Sequence, residues 1–181
     1  MTQACSVHKV VGFHKAKAIR AKATDGVVRE FRRQDISSVE RLIRETIECD
    51  PLIDSLQRAR LLEYTNVERI NNTMQSGYFV VYVEDNDEVS GFAGIAGTTV
   101  IYMFVKPEKQ RYGIGSMLLN CLEDHGVQNQ GVQDGTIIYR VFSTQLAVPF
   151  YQYHGYAEHQ RVFHHGLGVP VCRVEMSKVV C

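Results

Sequence analysis

Residues 100–119, VIYMFVKPEKQRYGIGSMLL, force a strand, a tight loop and a helix into immediate succession. Val100 to Val105 are β-branched, aromatic or otherwise apolar, which favours an extended, pleated strand. Pro107 ends that strand, because it lacks an N–H for the ladder and fixes φ. Ile114, Met117, Leu118, Cys121 and Leu122 then recur at helical spacing, so a helix is predicted from about Gly113. Between strand and helix lie Gln110, Arg111, Tyr112, Gly113, Ile114 and Gly115. Glycines there let the backbone approach a ligand without a β-carbon in the way. The unpaired N–H groups of the first helical turn, with the positive end of the helix dipole behind them, suit a phosphate or pyrophosphate.

Several readings of this loop compete. A P-loop requires Gly-x-x-x-x-Gly-Lys-[Ser/Thr], and no such lysine follows. A dinucleotide fingerprint requires a third glycine where Leu118 stands. An ordinary strand–loop–helix turn is the plain alternative. The fourth reading is a likeness: Val105-x-Pro107 followed by Gln110-x-x-Gly113-x-Gly115 resembles the coenzyme A motif [Gln/Arg]-x-x-Gly-x-[Gly/Ala] of the GNAT N-acetyltransferase superfamily.

The chain around the loop has 181 residues, enough for one well-buried core. Twenty basic and twenty acidic residues cancel, so bulk charge offers no argument for nucleic acid or an anionic membrane surface. No apolar run approaches the length of a transmembrane helix. The five cysteines, Cys5, Cys49, Cys121, Cys172 and Cys181, are scattered and lack a Cys-x-x-Cys pair, so neither a disulfide framework nor a zinc site is expected. That usage fits a reducing cytoplasm. Residues 1–26 read as a basic, loosely held extension: Lys9, Lys15, Lys17, Arg20 and Lys22 face a single acid, Asp25. Val10 and Val11 are too short a run for a signal peptide. Residues 27–181 read as one domain.

Val27 to Arg33 alternate as a first strand. Asp35 is expected to cap a helix with Ile36, Val39, Leu42, Ile43 and Ile47 on one face. Asp50-Pro51 breaks it. A second helical stretch, about 54–74, carries Leu56, Leu61, Leu62, Val67, Ile70 and Met74, with an interruption near Thr65-Asn66. From Gly77 the period changes, and strands at 78–83, 89–96 and 100–105 form an antiparallel meander. The helix from Gly113 is expected to end near Gly126 or Gly131. A strand at 136–142 follows, parallel to its predecessor through a right-handed crossover. Ser143 or Thr144 is expected to cap a short helix ended by Gly155, and 156–163 with 171–180 make a closing hairpin. The fold class is α+β, a mixed but mostly antiparallel twisted sheet flanked by helices, in the order β-α-α-β-β-β-α-β-α-β-β.

That order is similar to the GNAT order over residues 27–180, and a second segment adds to the likeness. Thr144-x-x-Ala147-x-x-Phe150-Tyr151-x-x-x-Gly155-Tyr156 resembles the family's Asn-x-x-Ala-x-x-Phe-Tyr-x-x-x-Gly-Phe, with Thr144 for Asn and Tyr156 for Phe. The resemblance implies that the strands at 100–105 and 136–142 splay apart. The pantetheine arm of acetyl-CoA would lie in the gap on the backbone of Met103, Phe104 and Val105. The pyrophosphate would sit over Gln110, Arg111, Tyr112, Gly113, Ile114, Gly115 and Ser116. Arg111 has two readings, a phosphate contact and a solvated loop arginine.

Acyl transfer to an amine requires a deprotonated amine, a polarised thioester carbonyl and an acid for the departing thiolate. Tyr151 holds the position of the family's tyrosine acid, with His154, Tyr153 and Tyr102 as alternatives. No base stands out. Glu84 reads better as a solvated turn carboxylate. Glu45, Glu48, Asp50 and Asp54 border the expected acceptor site, and water-relayed proton loss is equally open. His159, His164 and His165 do not make a recognisable metal site, and no metal is expected.

The expectation is an acetyl-CoA-dependent N-acetyltransferase acting on a primary amine of a small molecule, by direct attack in a ternary complex. The alternative is a catalytically weak acyl-CoA-binding sensor. No nucleic-acid or membrane partner is expected. A homodimer through the C-terminal strands is, because Val171–Val180 would be an apolar edge if left uncovered.

Overall fold

The computed structural model describes residues 25–65, 67–129, 136–164 and 170–180. The basic extension falls outside them except for its last two residues, as do the turn of the closing hairpin and His165. Among the described residues seven strands form one sheet in the order β1-β2-β3-β4-β5-β7-β6. They are β1 (Gly26–Glu30), β2 (Tyr78–Glu84), β3 (Val89–Ala96), β4 (Thr99–Val105), β5 (Ile137–Ser143), β6 (Ala157–His164) and β7 (Val171–Val180). Only β4 and β5 run parallel; every other neighbouring pair is antiparallel. The expected class and element order therefore hold.

Helices α1 (Ile36–Glu48), α2 (Ser55–Tyr64) and α3 (Val67–Thr73) precede β2, and the break between α2 and α3 falls where the sequence put it. They cover one face of the sheet, where Val39, Leu42, Ile43, Ile47 and Ile70 bury against Val81, Val83 and Phe92. Helix α4 (Ile114–Asn129) covers the other face, burying Ile114, Leu118, Leu119 and Leu122 against Val80, Tyr82 and Ala93. Helix α5 (Val148–Tyr153) joins that second core through Val148 and Tyr151. Alternation in β2 and β3 thus serves two cores, which is why both strands are buried almost throughout. Among the described residues no helix is long and apolar enough to cross a membrane.

Four local expectations are corrected. Asp35 does not cap α1 with its side chain. Its carboxylate accepts from the backbone N–H of Arg32 at 2.7 Å and pairs with both terminal nitrogens of Arg29, at 2.7 and 2.8 Å, which bolts β1 to the start of α1. Leu56 is not a core residue; it is 56 % exposed near the N-terminus of α2. Of the two ends expected for α4, Gly126 is not the one used: the helix runs on to Asn129, close to Gly131. A β-carbon on Gly126 would stand 2.4 Å from the Tyr139 hydroxyl, so its smallness lets α4 lie against β5. Neither Ser143 nor Thr144 caps through its side chain: Ser143 donates to the carbonyl of Thr144, and a short 3-10 turn precedes α5.

The C-terminal hairpin departs in a way that bears on assembly. Strand β7 lies between β5 and β6 and is paired on both sides, so Val171–Val180 is not an edge. The edge on that side of the sheet is β6.

Candidate active site

Parallel pairing of β4 with β5 extends over Thr99–Arg140 and Val100–Val141 and then stops. The cause is local to β4. Opposite β3, Tyr102 pairs with Gly94 and Val100 with Ile95, so Ile101 is an extra residue and β4 bulges there. A bulge bends its strand and raises its twist. The stretch from Ile101 to Val105 consequently leaves β5, opening the gap between the two strands. Met103 and Val105 border the α4-side core, whereas Tyr102 and Phe104 join the rings of Phe79 and Phe92 on the other face.

At the end of β4 the chain turns sharply. Pro107–Lys109 form one 3-10 turn, and the Gln110 side-chain amide donates back to the Val105 carbonyl at 3.2 Å. Arg111 (φ 67°) and Gly113 (φ 92°) both occupy the left-handed region, which a β-carbon disfavours, so glycine at 113 fits the backbone demand. Helix α4 begins at once, with Met117 N–H bonded to the Gly113 carbonyl at 3.0 Å. No acidic side chain stands in its first turn, so the positive helix end is not offset from within.

Ion pairs hold this loop to the β2–β3 turn. Lys109 donates to Glu84 at 2.7 Å, and Lys106 reaches Glu88 at 2.6 Å and Glu108 at 2.9 Å. Hydrogen bonds from Lys109 and from the Ser90 hydroxyl pull the Glu84 carboxyl below the usual range. Glu84 is therefore a structural anion and a poor base. Both loop lysines are neutralised in place, which leaves exposed Arg111 as the loop cation without a carboxylate at ion-pair distance among the described residues.

Tyr151, 3 % exposed, packs edge-on against Phe150 and Tyr156, with ring centroids 5.1 and 5.4 Å away. Its hydroxyl bonds to no described side chain or backbone group, and burial raises its pKa, so it is a neutral phenol with its proton in place. Tyr156 is built in differently: its hydroxyl donates to Glu123 at 2.9 Å, and Lys178 holds the other oxygen of Glu123 at 2.5 Å. The hydroxyl gained where the family motif has phenylalanine thus has a structural partner. His154 faces Ser116, Nε2 to Oγ at 2.9 Å, and desolvation lowers its pKa. A β-carbon on Gly115 would lie 3.2 Å from the Phe150 ring and 3.8 Å from Val105. The two sequence motifs therefore meet at the first turn of α4.

The other candidates fall away from this point. Tyr102 lies on the opposite face of the sheet from Tyr151, and Tyr153 is 61 % exposed. Asp54 caps α2, exchanging bonds with Gln57, and Asp50 accepts from the backbone N–H of Leu52. His159 bonds the Ser177 hydroxyl at 2.6 Å. Among the described residues no group of three His, Cys, Asp or Glu side chains is placed to hold a metal. Sequence reasoning missed Arg173, a partly buried arginine on β7. Strand alternation around Val174 was the available signal, since it sets Arg173 on the opposite face.

The profile of the acetyltransferase (GNAT) domain matches residues 27–177. This chain belongs to the GNAT acetyltransferase family. Its members are acyl-CoA-dependent acetyltransferases, and the solved GNAT structures share its fold at low identity. A GCN5-related N-acetyltransferase from Rhodopseudomonas palustris superposes with a TM-score of 0.77 at 18 % identity, over 86 % of this chain and 96 % of that one. The PaiA N-acetyltransferase from Thermoplasma acidophilum, solved with coenzyme A, gives 0.64 at 16 %, over 84 % and 98 %. A phosphinothricin acetyltransferase from Sinorhizobium meliloti, solved with acetyl-CoA, gives 0.64 at 14 %, over 87 % and 89 %. No curated protein sequence matches the chain significantly.

Proposed function

We propose that this GNAT domain transfers an acetyl group from acetyl-CoA to the primary amine of a small molecule, by direct attack while both substrates are bound. The observation that carries this reading is the junction of three features at one place. Pairing between β4 and β5 stops after Val100, Gly113 and Gly115 open the first turn of α4, and α5, which carries the buried Tyr151, packs on that turn through Phe150 and His154.

The residues fit coenzyme A on these grounds. Backbone of Met103, Phe104 and Val105, free of β5, offers an edge that an extended pantetheine arm can pair with. Amides from Arg111 to Ser116 face the pyrophosphate, with Arg111 as an added charge, whereas the Gln110 N–H is taken by the Pro107 carbonyl at 3.3 Å. Bound there, acetyl-CoA supplies an activated thioester. An N–H near Val105 polarises its carbonyl as charge develops. Tyr151, kept protonated by burial, donates to the departing thiolate. The amine proton leaves through water, since Glu84 is taken by Lys109 and Ser90.

Incubation with acetyl-CoA and a broad panel of amines, following released thiol and acetylated product, tests this. Turnover of at least one small amine is expected. Tight acetyl-CoA binding without transfer to any amine would replace the proposal with the sensor reading.

A further inference from the structure

Val174 and Met176 of β7 point into the α4-side core, so Arg173 and Glu175 point to the face that carries α1–α3. The register continues this face onto β5, where Phe142, 40 % exposed, pairs with Glu175. Towards the start of β7, Val171 shares the face yet is only 3 % exposed. There the N-terminus of α2 reaches over, and the Gln57 amide donates to the Pro170 carbonyl at 3.0 Å. Arg173 therefore stands between a covered residue and an open stretch. It lies just beyond the C-terminal end of β5, since Ser143 pairs with Val174, and so at the wide end of the β4–β5 gap.

A guanidinium has five donors. Among the described residues Arg173 makes one hydrogen bond, to the carbonyl of Cys172 at 3.4 Å, and no carboxylate lies at ion-pair distance. Asp50 acts on it through space, but the Asp50 carboxylate already accepts from Leu52 N–H. Burial lowers the Arg173 pKa, a sign of a cation partly stripped of water. Such a cation costs free energy unless an anion meets it, and the planar fork of arginine suits a carboxylate held by two parallel bonds. Glu175 follows two positions on, about 7 Å along the strand, with one oxygen bonded by Gln160 at 2.8 Å. The face thus presents a positive and a negative group in a row.

We propose that the acceptor amine carries a second, anionic group, that Arg173 binds that group at the mouth of the β4–β5 gap, and that amino acids with a free carboxylate are the substrate class. This rests on the acetyltransferase reading and narrows it. Glu175 attracts the ammonium end of the same molecule before its proton is lost. Polyamines, which bear no anion, are disfavoured.

The test compares each free amino acid with its amide, and both with spermidine, using the full chain and thiol release. Wild type is expected to favour the carboxylate over its amide by roughly tenfold or more in kcat/KM. Arg173→Gln should remove that preference by slowing only the carboxylates, and Arg173→Lys should keep part of it. Coenzyme A affinity should be unchanged in both. Equal turnover of acid and amide by wild type, a loss in Arg173→Gln shared by both, or a preference for spermidine would overturn the proposal. The wild-type comparison stands even if Arg173→Gln does not fold. If no amine is acetylated, the acetyltransferase reading fails separately. Calorimetry of the same amino acids on coenzyme A-saturated protein then decides: binding weakened by Arg173→Lys supports the proposal, and no binding, or binding indifferent to that change, ends it.

Discussion

Ser116 Oγ and His154 Nε2 stand 2.9 Å apart across 38 residues of sequence, joining the first turn of α4 to the end of α5. The contact between Gly115 and the Phe150 ring lies beside it. The loop that would receive the pyrophosphate and the helix that carries Tyr151 are thus one packed unit. Displacing either one moves the other.

His154 gives that unit a pH signature. Burial lowers its folded pKa below the ordinary value near 6.5. Between the folded and unfolded values the unfolded chain binds more protons, so stability rises with pH across that window. The contribution is complete above about pH 6.5 and is lost as pH falls towards the folded pKa. Urea midpoints at pH 5.5 and 7.5 should therefore differ in wild type, and differ less in His154→Gln. Identical pH dependence in the two proteins would show that His154 is not the group responsible.

The two glycines of the loop should fail in different ways. Gly113→Val places a branched residue at φ 92°, with a backbone penalty of about 1–2 kcal/mol, and disturbs the amides meant for phosphate. Coenzyme A binding by calorimetry should weaken by about 1–3 kcal/mol, the range for hydrogen bonds to a charged group. Gly115→Val drives its side chain at Phe150 and Val105, so it should also lower thermal stability and reduce turnover through Tyr151. Unchanged affinity in both variants would reduce the loop to a turn.

Gly126 and Tyr139 offer a test of packing far from the chemistry. The Tyr139 hydroxyl donates to the Glu123 carbonyl at 2.6 Å and leaves no room for a β-carbon on Gly126. Gly126→Ala gains about 1 kcal/mol of helix propensity, but overpacking at a buried ring costs about 1–3 kcal/mol. Net destabilisation is expected by chemical denaturation, and it should be smaller in a Tyr139→Phe background. Additive effects would mean that the helix shifts freely past the ring.

How far the sequence revealed all this depended on the range of the interaction. The Pro107 stop, the helical period after Gly113 and the break at Thr65-Asn66 are local, and each lies where the sequence put it. Asp35 departs from the capping its sequence suggests because its partner, Arg29, lies in the preceding strand, and the ion pair outweighs the local preference for capping. Gly126 looked like a helix end because Tyr139, which requires it to be small, is on another element. The placement of β7 between β5 and β6 is a pairing between distant segments, which alternation cannot order. Both motif segments were legible from the family likeness. Alternation around Val174 sets the face of Arg173, but its place beyond the end of β5 comes from the β5–β7 register, a pairing between distant segments.

Tyr151 allows the sharpest separation of chemistry from structure. Its ring packs against Phe150 and Tyr156, and its hydroxyl has no bonding partner among the described residues. Tyr151→Phe keeps the packing and removes only the O–H, so melting temperature and coenzyme A affinity should barely change. If the phenol protonates the leaving thiolate, kcat falls by about 10²-fold, the lower end for one acid–base group. Burial raises the phenol's pKa above its ordinary value, so Tyr151 should add no alkaline limb to the pH–rate profile below about pH 10. A tyrosine that only packs predicts preserved turnover in the same variant. Near-normal kcat in Tyr151→Phe, measured beside its melting temperature, would pass the acid's role to water or to His154.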